Sequence, residues 1–304
     1  YSRFGETMNK TILLTMLSLG ISVAFRMKFW NIGAEGQFVV GSMAACVVGI
    51  LVPAPSYLLI PLCFIAAAVA GALWGVIVGL LKTKFGINEV LSMIMFNWIA
   101  YYLSNYIAEL PGINAGGGVD ATQDVVAGAM ITLPQSWIQS MSLCKDANWG
   151  IFVAILVMIV VWVIIEKTTT GYELKAVGFN RSAAEYGGIN VNRSILLVLA
   201  ISGALAGVGG AMQLLGMGKR ISVFAAQEGF GFQGISVALI GGSNPLGVLF
   251  AGLFYGILKY GGTKLNLIGA PSEVINIITG TVVFFIAISH VFRIKVRRGG
   301  KKNG

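Results

Sequence analysis

The sequence predicts an all-α protein, a polytopic transmembrane helical bundle, and three observations support this. Apolar residues fall in blocks of about 20, the length at which an α-helix crosses the hydrocarbon layer of a bilayer. Only 11% of the chain is charged against 56% hydrophobic, where a water-soluble domain carries roughly 25% charged residues, and mean hydropathy is +0.83. The basic residues stand at the ends of the blocks rather than within them, as in loops of membrane proteins.

Taken in order, nine segments emerge: 11–25, 36–52, 57–81, 89–108, 149–166, 194–216, 229–241, 246–262 and 272–290. The tail 291–304, which contains "FRIKVRRGGKKNG", is basic and places the C-terminus in the cytoplasm. Working back from it, residues 26–30, 82–88, 167–193 and 242–245 also face the cytoplasm. With the tail they hold 14 of the 21 Lys and Arg residues. The long loop 109–148 falls outside, with Asp120, Asp124 and Asp146 against Lys145. Nine crossings leave Tyr1 outside, and with no initiating Met this predicts one further helix upstream, ten in all. Residues 1–304 form a single membrane domain, and no signal peptide can be read.

Several helices carry small residues four apart: Gly71, Gly75 and Gly79, then Gly203, Gly207 and Ala211. Lipid gives no hydrophobic drive for helices to associate, so such stripes allow close backbone packing. They are architecture.

Composition also limits function. A formal charge of +9 placed in loops and tail serves membrane topology, not nucleic-acid binding. Cys46 and Cys63 lie in apolar segments and Cys144 in a loop, with no disulfide framework or metal cluster. His290 is the only histidine and sits at a segment end, a poor position for catalysis. No stretch fits the phosphate-cradling G-x-x-x-x-G-K-[ST]. "GMGKR" at 216–220 lacks the upstream glycine and ends in Arg. The chain is therefore not an enzyme and binds no cofactor of its own. An ion-coupled secondary carrier, the rival class, would need carboxylates deep in the membrane. Only Glu35 and Glu228 qualify, and a carboxylate in a helix's first turn is stabilised by the helix dipole without any ligand.

The cytoplasmic loop 167–193 is polar and helix-like. Ser182 and Glu185 have capping-box spacing, Asn180 is a competing N-cap one turn earlier, and Gly187 with Gly188 supplies a left-handed stop. A helix of one or two turns is unstable alone in water and needs a surface to rest on. That surface is either its own bundle or a partner.

The loop's pattern T-x-x-G-x-x-x-x-A-x-G-x-N-x-x-A-A-x-x-x-G-I runs through Thr168, Gly171, Ala176, Gly178, Asn180, Ala183, Ala184, Gly188 and Ile189. It resembles the cytoplasmic loop of ABC importer permeases in the ribose, nucleoside and branched-chain amino acid group. Three further stretches resemble that family in family order: "NIGAEGQFVVGSMAA" from Asn31, "NEVLSMIMFNWIA" at 88–100 and "GISVALIGGSNPLGV" at 234–248. The first looks like the signature of the nucleoside and simple-sugar branch.

The resemblance implies a type II ABC importer permease fold with two pseudo-repeated halves, in the plasma membrane, taking up nucleosides. A ribose-type sugar permease is the alternative. It makes the short helix a coupling helix that docks in a groove of a separate ATPase, which holds the ATP and Mg. It further implies a second permease subunit, a different chain in the nucleoside branch, and an extracellular substrate-binding lipoprotein.

Two short segments, "GAEGQFVVG" from Gly33 and "EGFGFQGISVALIGG" from Glu228, begin alike. Gly-rich short segments at corresponding places in two halves point to a transport path. Buried amides offer donor and acceptor together and suit an uncharged polar solute. The candidates are Asn31, Glu35, Gln37, Asn97, Gln213, Gln227, Glu228 and Gln233. Trp30, Phe96 and Phe232 are candidates for stacking.

Overall fold

In the computed structural model the apolar blocks fold as helices packed through their glycines. Residues 2–133, 148–223 and 225–266 are described, with scattered positions between 274 and 288. The tail 291–304, His290, Cys144, Lys145 and Asp146 lie outside the described residues, as does much of 272–290. The chain runs α1 (Ser2–Arg26), α2 (Ala34–Leu51), α3 (Ser56–Phe85), α4 (Glu89–Ala108), α5 (Gly150–Lys167), α6 (Thr169–Phe179), α7 (Arg181–Tyr186), α8 (Val191–Gln213), α9 (Phe230–Ile240) and α10 (Pro245–Asn266). The described residues contain isolated bridges but no named β-strand.

Among the described residues, five helical spans are both long and apolar enough to cross a membrane: Gly5–Arg26, Ala34–Leu51, Ser56–Phe85, Gly150–Lys167 and Val191–Gly218. α4, with 20 residues, and α10, with 22, are also long enough for a core of about 30 Å. α9 is different. Its 11 residues reach roughly 16 Å, so the segment at 229–241 goes only about halfway.

The centre of the bundle is α2, α3 and α8, brought together where glycine meets backbone. A Cβ on Gly71 would strike the Gly203 carbonyl, one on Gly207 the Ala67 carbonyl, and one on Gly41 the backbone of Gly207. The small-residue stripes thus let α3 and α8 lie antiparallel in direct contact. α10 packs on α1 likewise, Gly252 over Thr15 and Gly256 over Thr11.

The four described pieces assigned to the cytoplasm gather at one end of the bundle. Arg26 reaches the Ser243 carbonyl (3.1 Å) and Glu166 (3.8 Å). Glu166 also pairs with Lys175 (2.6 Å). Lys82 pairs with Glu89, and Arg181 acts on the same carboxylate. At the opposite end the loop after α4 pairs with the chain leaving α8: Thr122 N donates to the Ile221 carbonyl (2.8 Å), Val125 N to that of Lys219 (2.8 Å), and Val223 N to that of Asp120 (2.9 Å). Asn148 ties this end together, donating to Asn9 Oδ1 (3.1 Å) and accepting from Gly150 N (2.8 Å).

Candidate functional site

The two alike segments meet inside the bundle. α1 stops at Arg26, the chain unwinds through Met27–Gly33, and α2 begins well inside. Gln37, in its first turn, lies beside Gly75 of α3, ten residues from the end of α3 at Phe85 and so about 15 Å along it. Unwound backbone at that depth survives only where protein satisfies its polar groups.

Asn97 supplies such partners, and Asn31 and Gln37 brace the unwound stretch through side-chain bonds. Asn97 of α4 donates to the Ile32 carbonyl (3.1 Å) and accepts from Gly36 N (2.9 Å). Asn31 donates to Gln37 Oε1 (2.8 Å) and to Ser202 Oγ of α8 (2.6 Å). Gln37 donates back to Asn31 Oδ1 (3.4 Å). All three residues are buried, and their bonds hold the break in α1–α2 against α4 and α8.

Glu35 joins the two short segments. It is 1% exposed and lies in the first turn of α2, with its side chain turned onto the start of α9. Its Oε1 accepts from Gly229 N (2.8 Å) and its Oε2 from Gly231 N. Gly229, left-handed at φ 75°, has no side chain to cap α9, so the cap comes from α2. A Cβ on Gly231 would lie 2.5 Å from Glu35 N, which is why glycine stands there. One carboxylate thus meets the positive ends of two helices, the favourable arrangement for a buried anion.

The other four path candidates lie around α9 and the end of α8, and they are less enclosed. Glu228 is exposed, and Gln213, Gln227 and Gln233 are half-buried. The Gln213 side chain lies beside Glu228, and Gln213 Oε1 and Gln227 Nε2 have no partner among the described residues. Gln213 ends α8, which loosens into a π-helical turn, Leu214–Gly218, a form common near functional sites. Phe232 on α9 and Trp30 are about half exposed, at 47% and 52%. Phe96 instead packs edge-on to Trp74. A cavity of about 300 Å³ between α2, α3 and α4 is lined by apolar residues such as Val40, Met43 and Leu103, with Ser104. None of the polar candidates lines it.

The loop 167–193 folds as α6 and α7. Thr168 Oγ1 caps α6 by accepting from Gly171 N (3.2 Å). Gly171 fits under the Ile164 and Ile165 carbonyls, and Gly178 against Arg26 and Met27 at the end of α1. Both motif glycines therefore mark backbone contacts. Asn180 caps α7, accepting from Ala183 N (3.1 Å). The capping box expected from Ser182 and Glu185 does not set the helix start, because α7 begins one residue earlier, at Arg181. Of the glycine pair, only Gly188 is left-handed (φ 86°); Gly187 has φ −76°.

Ala184 is buried and shares a core cluster with Met27, Phe29, Leu174 and Val177, so it seats the loop on its own bundle. Ala176 is half-buried, while Ser182, Ala183 and Glu185 face outward. The sequence reading missed the loop's aromatics: Tyr172, Phe179 and Tyr186 are 71%, 81% and 98% exposed. Aromatic residues in a polar loop were the signal available.

Over residues 4–287 the chain matches the family model described as branched-chain amino acid transport system / permease component. The chain belongs to this permease family. It is 38% identical over 299 residues to the guanosine ABC transporter permease protein NupP of Bacillus subtilis, covering 98% of this chain and 84% of that one. It is 33% identical to the nucleoside ABC transporter permease protein NupB of Lactococcus lactis (95% and 80% covered). Identity is 32% to the glucose ABC transporter permease protein TsgB13 of Haloferax volcanii (96% and 78% covered). No solved structure matches. The family and the apolar helices make this a multi-pass membrane protein and a transport component.

Proposed function

We propose that this chain is the membrane-spanning permease subunit of an ABC importer that takes up nucleosides across the plasma membrane. The observation that carries the reading is near full-length similarity to two permeases named for guanosine and nucleoside transport. The similarity to a glucose permease favours a simple sugar as the second reading.

In this reading the solute passes along the α9 side of the break, where Glu228, Gln227, Gln213 and Gln233 offer hydrogen bonds to an uncharged polar molecule. Asn31, Glu35, Gln37 and Asn97 hold the frame behind them. α2 and α9, each starting inside the bundle and running in opposite directions, are the counterparts of the two pseudo-repeated halves. Such discontinuous helices are a recurring way to build a substrate path.

ATP and Mg belong to a separate ATPase, onto which the α6–α7 loop docks with Phe179 and Tyr186 outward. Exposed aromatics are frequent anchors of interfaces. A second, different permease chain completes the membrane part, and a lipid-anchored binding protein delivers the solute from outside. The test is uptake of labelled adenosine, uridine or guanosine by membranes holding the complete transporter. Uptake should require ATP and be competed better by cold nucleoside than by ribose or glucose. Competition by sugar alone would move the chain to the sugar branch.

A further inference from the structure

We propose that Arg26 is the joint through which the cytoplasmic loop moves the short helix α9. The inference rests on the transporter reading and adds to it how movement at the loop reaches the path.

The geometry begins at the loop. Gly178 of α6 sits on the backbone of Arg26 and Met27 with no room for a side chain, and Lys175 of the same helix pairs with Glu166 (2.6 Å). Glu166 in turn faces Arg26 Nη2 (3.8 Å). The loop therefore holds Arg26 by its main chain and, through Glu166, by its side chain.

From Arg26 two routes lead to the two ends of α9. By the side chain, Nε donates to the Ser243 carbonyl (3.1 Å) in the turn after α9. Ser243 is left-handed there (φ 55°), a conformation disfavoured for a residue with a Cβ, so the turn depends on what holds it. By the main chain, Arg26 leads through the unwound Met27–Gly33 into Glu35, whose carboxylate caps the other end of α9 at Gly229 and Gly231. Ser18 of α1 reaches the Gly234 carbonyl between them (2.9 Å). α9 is thus held at its end, middle and start by residues 18–35. A shift of the loop against α1 is transmitted to α9 and to Gln227, Glu228 and Gln233 beside it.

Arginine suits the position. Its planar fork donates to a carbonyl through Nε while Nη2 faces a carboxylate at 3.8 Å, an arrangement the single ammonium of lysine does not reproduce. Arg26 is a positioning residue and touches no solute.

The test uses the complete transporter in proteoliposomes, with uptake and ATP hydrolysis measured in the same vesicles. Membrane amounts of the chain and co-purification of the ATPase serve as controls. Arg26→Lys and Glu166→Gln should each keep hydrolysis and assembly while solute moved per ATP falls by about tenfold, an ordinary size for coupling between sites. The double variant should be no worse than the worse single one, because both interrupt one link. Should Arg26→Lys fail to accumulate, Glu166→Gln decides alone. Solute per ATP within about twofold of the unmodified complex, or a double loss equal to the product of the single ones, overturns the joint. If the unmodified complex shows no ATP-driven uptake, the transporter reading falls, and the proposal with it.

Discussion

Glu35 shows what a single side chain does in this bundle. A buried carboxylate is costly without partners, and its partners here are two backbone N–H groups and two helix starts. Without it, Gly229 and Gly231 would be unbonded donors at the start of α9, at a cost of about 1–3 kcal/mol each. Glu35→Leu should therefore lower the thermal unfolding temperature of the detergent-purified chain clearly. Glu35→Gln keeps one acceptor and removes the charge, so it should fall between Leu and the unmodified chain. Equal unfolding temperatures for all three would show that the carboxylate does not hold α9. Glu35 was legible in the sequence as a first-turn carboxylate. Which helix it caps was not, because Gly229 is 194 positions away and no local pattern records that pairing.

At the scale of the element, the loop carries two kinds of surface on one short helix. α7 has 6 residues, too few to hold a helix alone. Its stability comes from the Asn180 cap, worth about 0.5–2 kcal/mol, and from Ala184 against the bundle. Phe179 and Tyr186 remain outside. Ala184→Arg should unseat the loop from its own chain and reduce the amount of protein in the membrane. Phe179→Ala and Tyr186→Ala should leave that amount unchanged and weaken co-purification of the ATPase by about 1 kcal/mol or more each. Undiminished co-purification of the Phe179 and Tyr186 double variant would place the docking surface elsewhere. The motif letters Gly171 and Gly178 were legible as a pattern. Their reason, a helix resting on carbonyls of Ile164, Ile165 and Arg26, appears only once α1, α5 and α6 are packed.

For the whole molecule, the arrangement of its two ends makes a direct prediction. The basic pieces meet at the end that carries Arg26 and Lys175, and the loop after α4 closes the other end over Ile221. Cytoplasmic loops carry the excess of Lys and Arg. A cysteine at Gln123 should therefore react with an impermeant thiol reagent on intact cells. One at Tyr186 should react only after the cells are opened; both variants carry Cys144→Ser, which removes the native loop thiol, and Cys46 and Cys63 are buried. The opposite labelling would invert the molecule.

The class, the long helices, the distribution of charge along the chain and the glycine stripes are all legible in the sequence. Each of these is recorded locally, as block length, composition or a four-residue repeat set by the helix period. The sequence also shows that two short Gly-rich segments start alike. Packing alone reveals that α9 stops halfway, that its start meets Glu35, that Asn97 bonds the backbone at the break, and that Asn31 and Gln37 bond each other and Ser202. The physical reason is that an amide or carboxylate looks the same in sequence whether it awaits a solute or satisfies an unwound helix. Inside a membrane, where no water completes the hydrogen bonds, only the positions of its neighbours tell the two apart.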